Sequence, residues 1–446
     1  MLAGCGTRTA LLAPDISIVA DSALDGASPL DAPTTLDGAP ADVSSDALVQ
    51  DADTADGSQL DSSDADLLPD VAPTPVNSAV AYQIDPGHSG SQPTGKLTLP
   101  LKQKWLRELG GQTSYALVVS GRVFVTVGQS DGTAGVSVVA LDERTGATLW
   151  GPTEITGPNP IFLASLAYEA GRVFAAAANG QMWAFDAVTG DVAWRVALPG
   201  EPLPLPYGFS PPVALGGQVY VGQDGTDGAA LLAVRESDGA LLWMGKTTNG
   251  VDGAPAAGPE GIFVSYACAE ANAFDRFGGT LLWNYVGTCG VSGQGPQTSV
   301  LYGGAYFARG PSGNVVLDAT TGAKIGDFAS DRVPAFSEGV GYYVSDGIVR
   351  TLNAIPVGGT TDLWTWTWTT DELYYTTAPI VVGEHVIIGG ASGKLYVLRA
   401  KDGVVESTDM LPSIAPPEYL DGPQLAGLTF GDDILFVPTN TGIAAY

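Results

Sequence analysis

The chain has 446 residues and carries 19 Lys plus Arg against 48 Asp plus Glu, a formal net charge of -29 at pH 7. Such an excess of negative charge repels phosphate backbones and anionic headgroups, which argues against nucleic acid as a partner. No apolar run reaches the ~18 residues of a membrane span, while 59 glycines and 45% hydrophobic residues suit one large, turn-rich repeat domain behind a tail.

The first five residues, MLAGC, resemble the lipobox of bacterial lipoproteins. Leu2, Ala3 and Gly4 fit the small-residue cleavage site, and Cys5 is the cysteine that the resemblance assigns to lipidation. The charged and apolar regions of a signal peptide are missing ahead of it, so the true start is expected upstream of Met1. From Gly6 to Ala81 there is no aromatic residue, one Arg and fourteen Asp. That composition cannot bury enough apolar surface to offset ordering entropy, so a disordered acidic tether is expected over residues 6–81. As a flexible coil it reaches roughly 50 Å. Its aspartates lack the glycine-punctuated spacing of a calcium loop.

The domain is expected to run over residues 82–446, and its unit is clearest from Leu166 to Trp194, LAYEAGRVFAAAANGQMWAFDAVTGDVAW. Val173, Ala175 and Ala177 alternate as in a half-buried strand, Asn179-Gly180 makes a tight turn, and Met182 to Phe185 return. Thr189-Gly190 turns the chain again toward Trp194. The same order recurs with Asp142, Gly146 and Trp150; with Arg235, Gly239 and Trp243; and with Asp275, Gly279 and Trp283. Each tryptophan stands eight residues after the Asp or Arg and four after the glycine, and successive tryptophans are 44, 49 and 40 residues apart. This is the period of a four-stranded propeller blade. The pattern then weakens. Asp318 and Gly322 are followed by Gly326; Asn353 is read as the start of a turn lengthened by three residues before Trp364; Arg399 and Gly403 lead to Ser407.

One outer strand and one incomplete blade remain at the two ends. Lys102 to Gly111, KQKWLRELGG, matches the outer strand and exit of a blade, as in Trp194 to Gly200, WRVALPG. Pro423 to Tyr446 supply three strands and stop. Pairing Trp105's strand with them closes a ring of eight blades and removes exposed sheet edges. The expected fold is therefore all-β, an eight-bladed propeller of four-stranded antiparallel blades.

The aliphatic-Asp-x-x-x-Gly turn leading to Trp, seen at Leu141-Asp142, Phe185-Asp186 and Phe274-Asp275, resembles the pyrroloquinoline-quinone-type repeat from about Tyr82 to Tyr446. The resemblance implies that Trp105, Trp150, Trp194, Trp243 and Trp283 dock between neighbouring blades as structural staples. It also implies one of two functions: quinoprotein dehydrogenase, or noncatalytic eight-bladed lipoprotein such as BamB, which assists outer-membrane β-barrel assembly. The lipobox and the blade count favour the second. Against an enzyme, no adjacent Cys-Cys pair exists, and His88 and His385 lack a nucleophile motif. No zinc spacing occurs, and Asp224 to Gly228, DGTDG, reads as a hairpin turn rather than a cation cradle. No catalytic residue, cofactor or metal is therefore assigned.

Leu363 to Tyr375, LWTWTWTTDELYY, places Trp364, Trp366 and Trp368 on one strand face. Burial between blades is the favoured reading, and a sugar-stacking stripe the alternative. Cys268 and Cys289 fall in loops on the same blade face, and with Cys5 lipidated they form an even pair suited to a disulfide in an oxidising envelope. The long blade-to-blade connections carry Phe162, Tyr207, Phe209 and Tyr419, candidate anchors for a protein or peptide partner. The expectation is a monomeric envelope scaffold, held to the outer membrane through a lipid anchor only, with a secreted protein as the alternative address. A quinone enzyme and a carbohydrate-binding propeller are the rival functions.

Overall fold

The computed structural model describes residues 76–128, 135–157, 164–177, 179–199, 210–223, 229–247, 253–266, 270–287, 298–310, 313–345, 350–368, 376–390, 393–411 and 427–446. These residues fall in one compact unit, Asp66–Tyr446, and every regular element among them is a β-strand.

The second blade shows how the sequence makes the unit. Its strands are Ser165–Glu169, Arg172–Ala176, Gln181–Asp186 and Val192–Ala197, from the channel outward. Glu169 pairs with Arg172 across Ala170 and Gly171, both at positive φ, the geometry of a two-residue hairpin with right-handed strand twist. The third-to-fourth turn is set by Asp186, whose Oδ1 accepts the N–H groups of Val188 and Thr189 at 2.9 and 2.8 Å. The Thr189 N–H bond, first among these, holds the carboxyl below its ordinary value. A carboxylate that caps its own turn explains why Asp recurs there, and Asp142, Asp275 and Asp318 make the same bonds.

The half-buried alternation expected of Val173 to Ala177 is replaced by burial on both faces: Val173, Phe174, Ala175 and Ala176 are all covered. The reason is lateral packing. Ala167, Phe174 and Ala184 of blade 2 meet Val219, Val221, Leu232 and Val234 of blade 3 in one core. The outermost strands of blades 1 to 4 instead carry a buried Trp flanked by exposed residues.

Eight such sheets form the ring: blade 1 over residues 117–154, blade 3 over 213–246, blade 4 over 256–285, blade 5 over 300–328, blade 6 over 335–367 and blade 7 over 380–410. Blade 8 consists of Thr429–Gly431, Ile434–Pro438 and Gly442–Ala445, completed by Trp105–Glu108. Trp105 pairs with Ala445 and Glu108 with Gly442, so the ring closes through the N-terminal strand. Two departures from a uniform four-stranded plan occur. Blade 1 has a broken inner edge, with Gln112–Thr113 and Leu117–Val119 both paired to Arg122–Gly128. Blade 7 gains a fifth, parallel strand, Ser91–Gln92, against Ile380–Val382.

Blade 6 corrects the reading of its turn. Ala354 pairs with Trp364 as Ala140 pairs with Trp150. The turn is therefore not lengthened: Pro356, not Asn353, stands eight residues before the tryptophan.

Candidate functional site

The interblade staples share one geometry. Each indole N–H donates to a main-chain carbonyl in the next blade's third-to-fourth turn: Trp105 to Glu143 at 2.9 Å, Trp150 to Ala187 at 3.1 Å and Trp194 to Glu236 at 2.8 Å. Trp243 reaches Arg276 at 3.0 Å and Trp283 reaches Ala319 at 2.9 Å. Trp364 does the same with Ala400 at 2.8 Å, closing the seam between blades 6 and 7. Under each ring lies the turn glycine. A Cβ on Gly146, Gly190, Gly239, Gly279, Gly322 or Gly403 would stand 2.5 to 2.7 Å from indole carbons. The repeat's Gly and Trp are thus two halves of one contact, in successive blades.

The seam between blades 5 and 6 has neither half. Gly326 replaces the indole, and the position four residues after Pro356 is Thr360. Rings of Phe307, Phe328, Phe336 and Tyr343 pack there instead.

The channel is occupied by the chain's own segment 77–95, which circles once past the innermost strands. Asp432 of blade 8 donates its N–H to the Asn77 carbonyl, and Ala79 exchanges bonds with Val118 of blade 1. Tyr168 of blade 2 donates to Val80, Ala257 of blade 4 to Pro86, and Leu301 of blade 5 to Gly87. Phe336 of blade 6 donates to Ser89, while Val381 and Gly383 of blade 7 donate to Gly90 and Gln92. This strap therefore satisfies inner-strand N–H groups in six blades, and a hairpin N–H in blade 8, that would otherwise face an open channel. Asn77 and Gly95 both lie beside first-to-second strand hairpins, at Gly431–Asp432 and Gly383. The strap thus closes the mouth on the short-turn face.

His88 is the pin of the strap. Its ring is wholly buried, with Nδ1 2.8 Å from the Tyr82 carbonyl and Nε2 3.0 Å from the Pro255 carbonyl. Burial, outweighing these two carbonyls and Asp85, pulls the imidazole below its ordinary value. Asp85 is engaged locally, accepting the N–H groups of Gly87 and Ser89. Tyr82, which packs against both His88 and Tyr115, is covered together with them. Among the described residues no three His, Cys, Asp or Glu side chains come together as a metal site.

The aromatic stripe lies partly between blades. Trp368 is buried, and Trp366 packs tilted against it and against Tyr396 of blade 7 at centroid distances of 4.5 and 4.9 Å. Trp364 is committed to its seam. Five candidate residues of another kind, Cys5, Phe162, Tyr207, Phe209 and Tyr419, lie outside the described residues, as do Cys268, Cys289 and the DGTDG stretch. The strap is the feature that sequence reading missed. Its signal was a Pro-Gly-His-Ser-Gly run with a lone histidine, next to a strand that already had its place in the ring.

The family model described as outer membrane protein assembly factor BamB matches residues 45–233, 206–333 and 269–413, three overlapping stretches that span most of the chain. The chain belongs to this family. Among its BamB relatives, the protein of Moranella endobia (strain PCIT) is 24% identical over 347 residues, covering 69% of this chain and 80% of that one. The Yersinia pestis protein is 25% identical over 289 residues, covering 60% and 70%. BamB from Moraxella catarrhalis superposes with a TM-score of 0.55 at 17% identity, over 77% of this chain and 98% of that one. A europium-containing methanol dehydrogenase superposes with a TM-score of 0.63 at 14% identity, over 83% and 91%. At such identities the superpositions establish the shared propeller fold alone.

Proposed function

We propose that this chain is a noncatalytic scaffold of the cell envelope that serves outer-membrane protein assembly by holding protein or peptide partners. The observation that carries this reading is the BamB family match from residue 45 to residue 413, on a ring whose axis is filled by its own strap. The strap, bonded along the inner strands, supports a reading in which recognition falls to the surface. With the short-turn mouth closed, the blade-to-blade connections on the other face are where partners dock, through Phe162, Tyr207, Phe209 and Tyr419. A lipid on Cys5 holds the monomer at the outer membrane, and the residues ahead of the propeller act as its tether.

The test is complementation. In cells lacking this chain, outer-membrane β-barrel proteins should be depleted, and the intact chain should restore them. A variant with Tyr207→Ala, Phe209→Ala and Tyr419→Ala should fail to restore them while its melting temperature stays nearly unchanged. Full restoration by that variant would remove the connection face from the reading. Tight binding of pyrroloquinoline quinone with calcium, supporting alcohol oxidation, would overturn the scaffold itself.

A further inference from the structure

The seam at which the ring closes, between blades 8 and 1, holds a buried acid facing a second acid. Glu143 follows Asp142 in the third-to-fourth turn of blade 1. Its N–H donates to the Gly121 carbonyl at 3.1 Å, and its carbonyl accepts the Trp105 indole at 2.9 Å. Held at both main-chain groups, the residue keeps its side chain only 6% exposed. Oε2 is covered, and among the described residues no donor reaches it. The cation beside the carboxyl is Arg144, with Nε 3.5 Å from Oε1, but that side chain is 83% exposed and solvent screens the attraction.

Across the seam Glu143 faces the Asp432 carboxyl, in the first-to-second strand hairpin of blade 8. Asp432 also holds the start of the strap, since its N–H donates to the Asn77 carbonyl at 3.0 Å, and Gly121 N–H lies 3.5 Å from its Oδ2. Two other charged groups lie at this corner. Arg122 donates through Nη1 to the Ser120 carbonyl while its buried Nε has no partner among the described residues, and Asp433 accepts the Lys96 main-chain N–H at 2.9 Å. Two carboxylates have no donor to offer each other. One proton between them turns an acceptor–acceptor contact into a strong O–H···O bond.

The equivalent residue of blade 3 differs in its donors. Glu236, also pushed up to about 7 by burial and by Glu169 of blade 2, has Arg172 Nη1 3.2 Å from its Oε1, and Glu169 accepts the N–H groups of Gly216 and Gly217 at 2.7 and 3.1 Å. Protein donors serve that pair; the closing seam has no such supply for Glu143 Oε2.

We propose that Glu143 and Asp432 form a proton-operated catch on the closing seam: a shared proton holds blades 8 and 1 and the start of the strap together, and its loss loosens both. Burial, reinforced by Asp432, pushes the Glu143 carboxyl up from 4.5 to about 7. A carboxyl raised in the closed state contributes stability that is fully present below its ordinary value and is lost as pH rises through about 7.

The experiment is hydrogen exchange on the full-length protein from pH 5 to 8, corrected for intrinsic rates and read on peptides covering residues 102–109 and 439–446. In the wild type, seam opening should increase with pH, approaching roughly tenfold per pH unit between pH 5 and 7. Glu143→Gln and Asp432→Asn should each flatten that slope, while Glu236→Gln leaves it in place. The infrared band of a protonated carboxyl at pH 6 should shrink in Glu143→Gln. Should Glu143→Gln fail to fold, Asp432→Asn carries the test alone, because its amide donates to Glu143 in either state. A wild-type slope retained in Asp432→Asn, or an infrared band unchanged in a folded Glu143→Gln, would overturn the catch. So would closure of the seam at pH 8 by millimolar calcium, which would make the pair a cation site. These readouts need no partner, so they stand or fall separately from the assembly reading.

Discussion

Replacing Gly190 by Ala, with Gly171→Ala as its control, isolates what the Gly-Trp contact contributes. Both glycines sit in the left-handed region, at φ 77° and 82°, so each alanine meets the same backbone penalty of about 1 kcal/mol. The surroundings differ. At Gly171 a new Cβ meets nothing within 4 Å, whereas at Gly190 it would stand 2.6 Å from Cγ and Cδ2 of Trp150. Those atoms belong to a rigid ring held by its bond to the Ala187 carbonyl and packed on Phe124 and Phe185. Relief requires a main-chain shift or a lost bond, and overpacking of this kind costs about 2 kcal/mol. Gly190→Ala should therefore destabilise by about 3 kcal/mol in total, and Gly171→Ala by about 1. Trp150→Ala alone should cost about 4 kcal/mol. Combined with Gly190→Ala it should cost about 2 kcal/mol less than the sum, because the indole that made the clash is gone. Urea unfolding followed by far-ultraviolet circular dichroism reads all four. Equal losses at the two glycines, or strict additivity in the double variant, would refute the contact as the reason for the glycine.

The strap gives a second test. His88→Ala leaves a cavity and removes the one ring N–H available to the Tyr82 and Pro255 carbonyls, so it should cost about 3 kcal/mol and speed hydrogen exchange at Ala257, Leu301 and Phe336, whose N–H groups the strap accepts. Unchanged exchange there would mean that the strap stays closed without its pin. The third concerns Cys268 and Cys289. The nearest described residues on the two strands, Ala271 and Tyr285, are paired with each other, and a disulfide closing that loop should contribute about 3 kcal/mol. Mass spectrometry of the unreduced protein should find the two cysteine peptides joined, and two free thiols would sink the bond.

What was legible in the sequence follows from what the repeat needs locally. An Asp that caps its own turn, a glycine at positive φ and an indole with a fixed landing point act within eleven residues or between adjacent blades, so spacing alone exposes them. The ring closure was readable for the same reason: Trp105 and the last three strands are fragments of that unit. Other features depend on contacts distant in sequence. Burial on both faces of the middle strands comes from neighbouring blades, which a strand's own alternation cannot report. The register of blade 6 was misread because Pro356 takes the turn position without the Asp side chain that marks it elsewhere. The strap escaped altogether: most of its bonds to the inner strands use main-chain groups, which make little demand on residue type, and side chains such as His88 and Gln92 add to them only singly.

Staples and strap divide the work of holding the ring. Indoles bridge six seams, from blade 8 through blade 1 to blade 5, and again between blades 6 and 7. The seams without one lie between blades 5 and 6, where Gly326 stands, and between blades 7 and 8, where Ser407 stands. Both are crossed by the strap. Gly87 and Ser89 accept bonds from blades 5 and 6, while Gln92 accepts from Gly383 of blade 7 and donates its side-chain amide to the Phe430 carbonyl of blade 8. The strap thus serves as mechanical closure where the repeat has decayed.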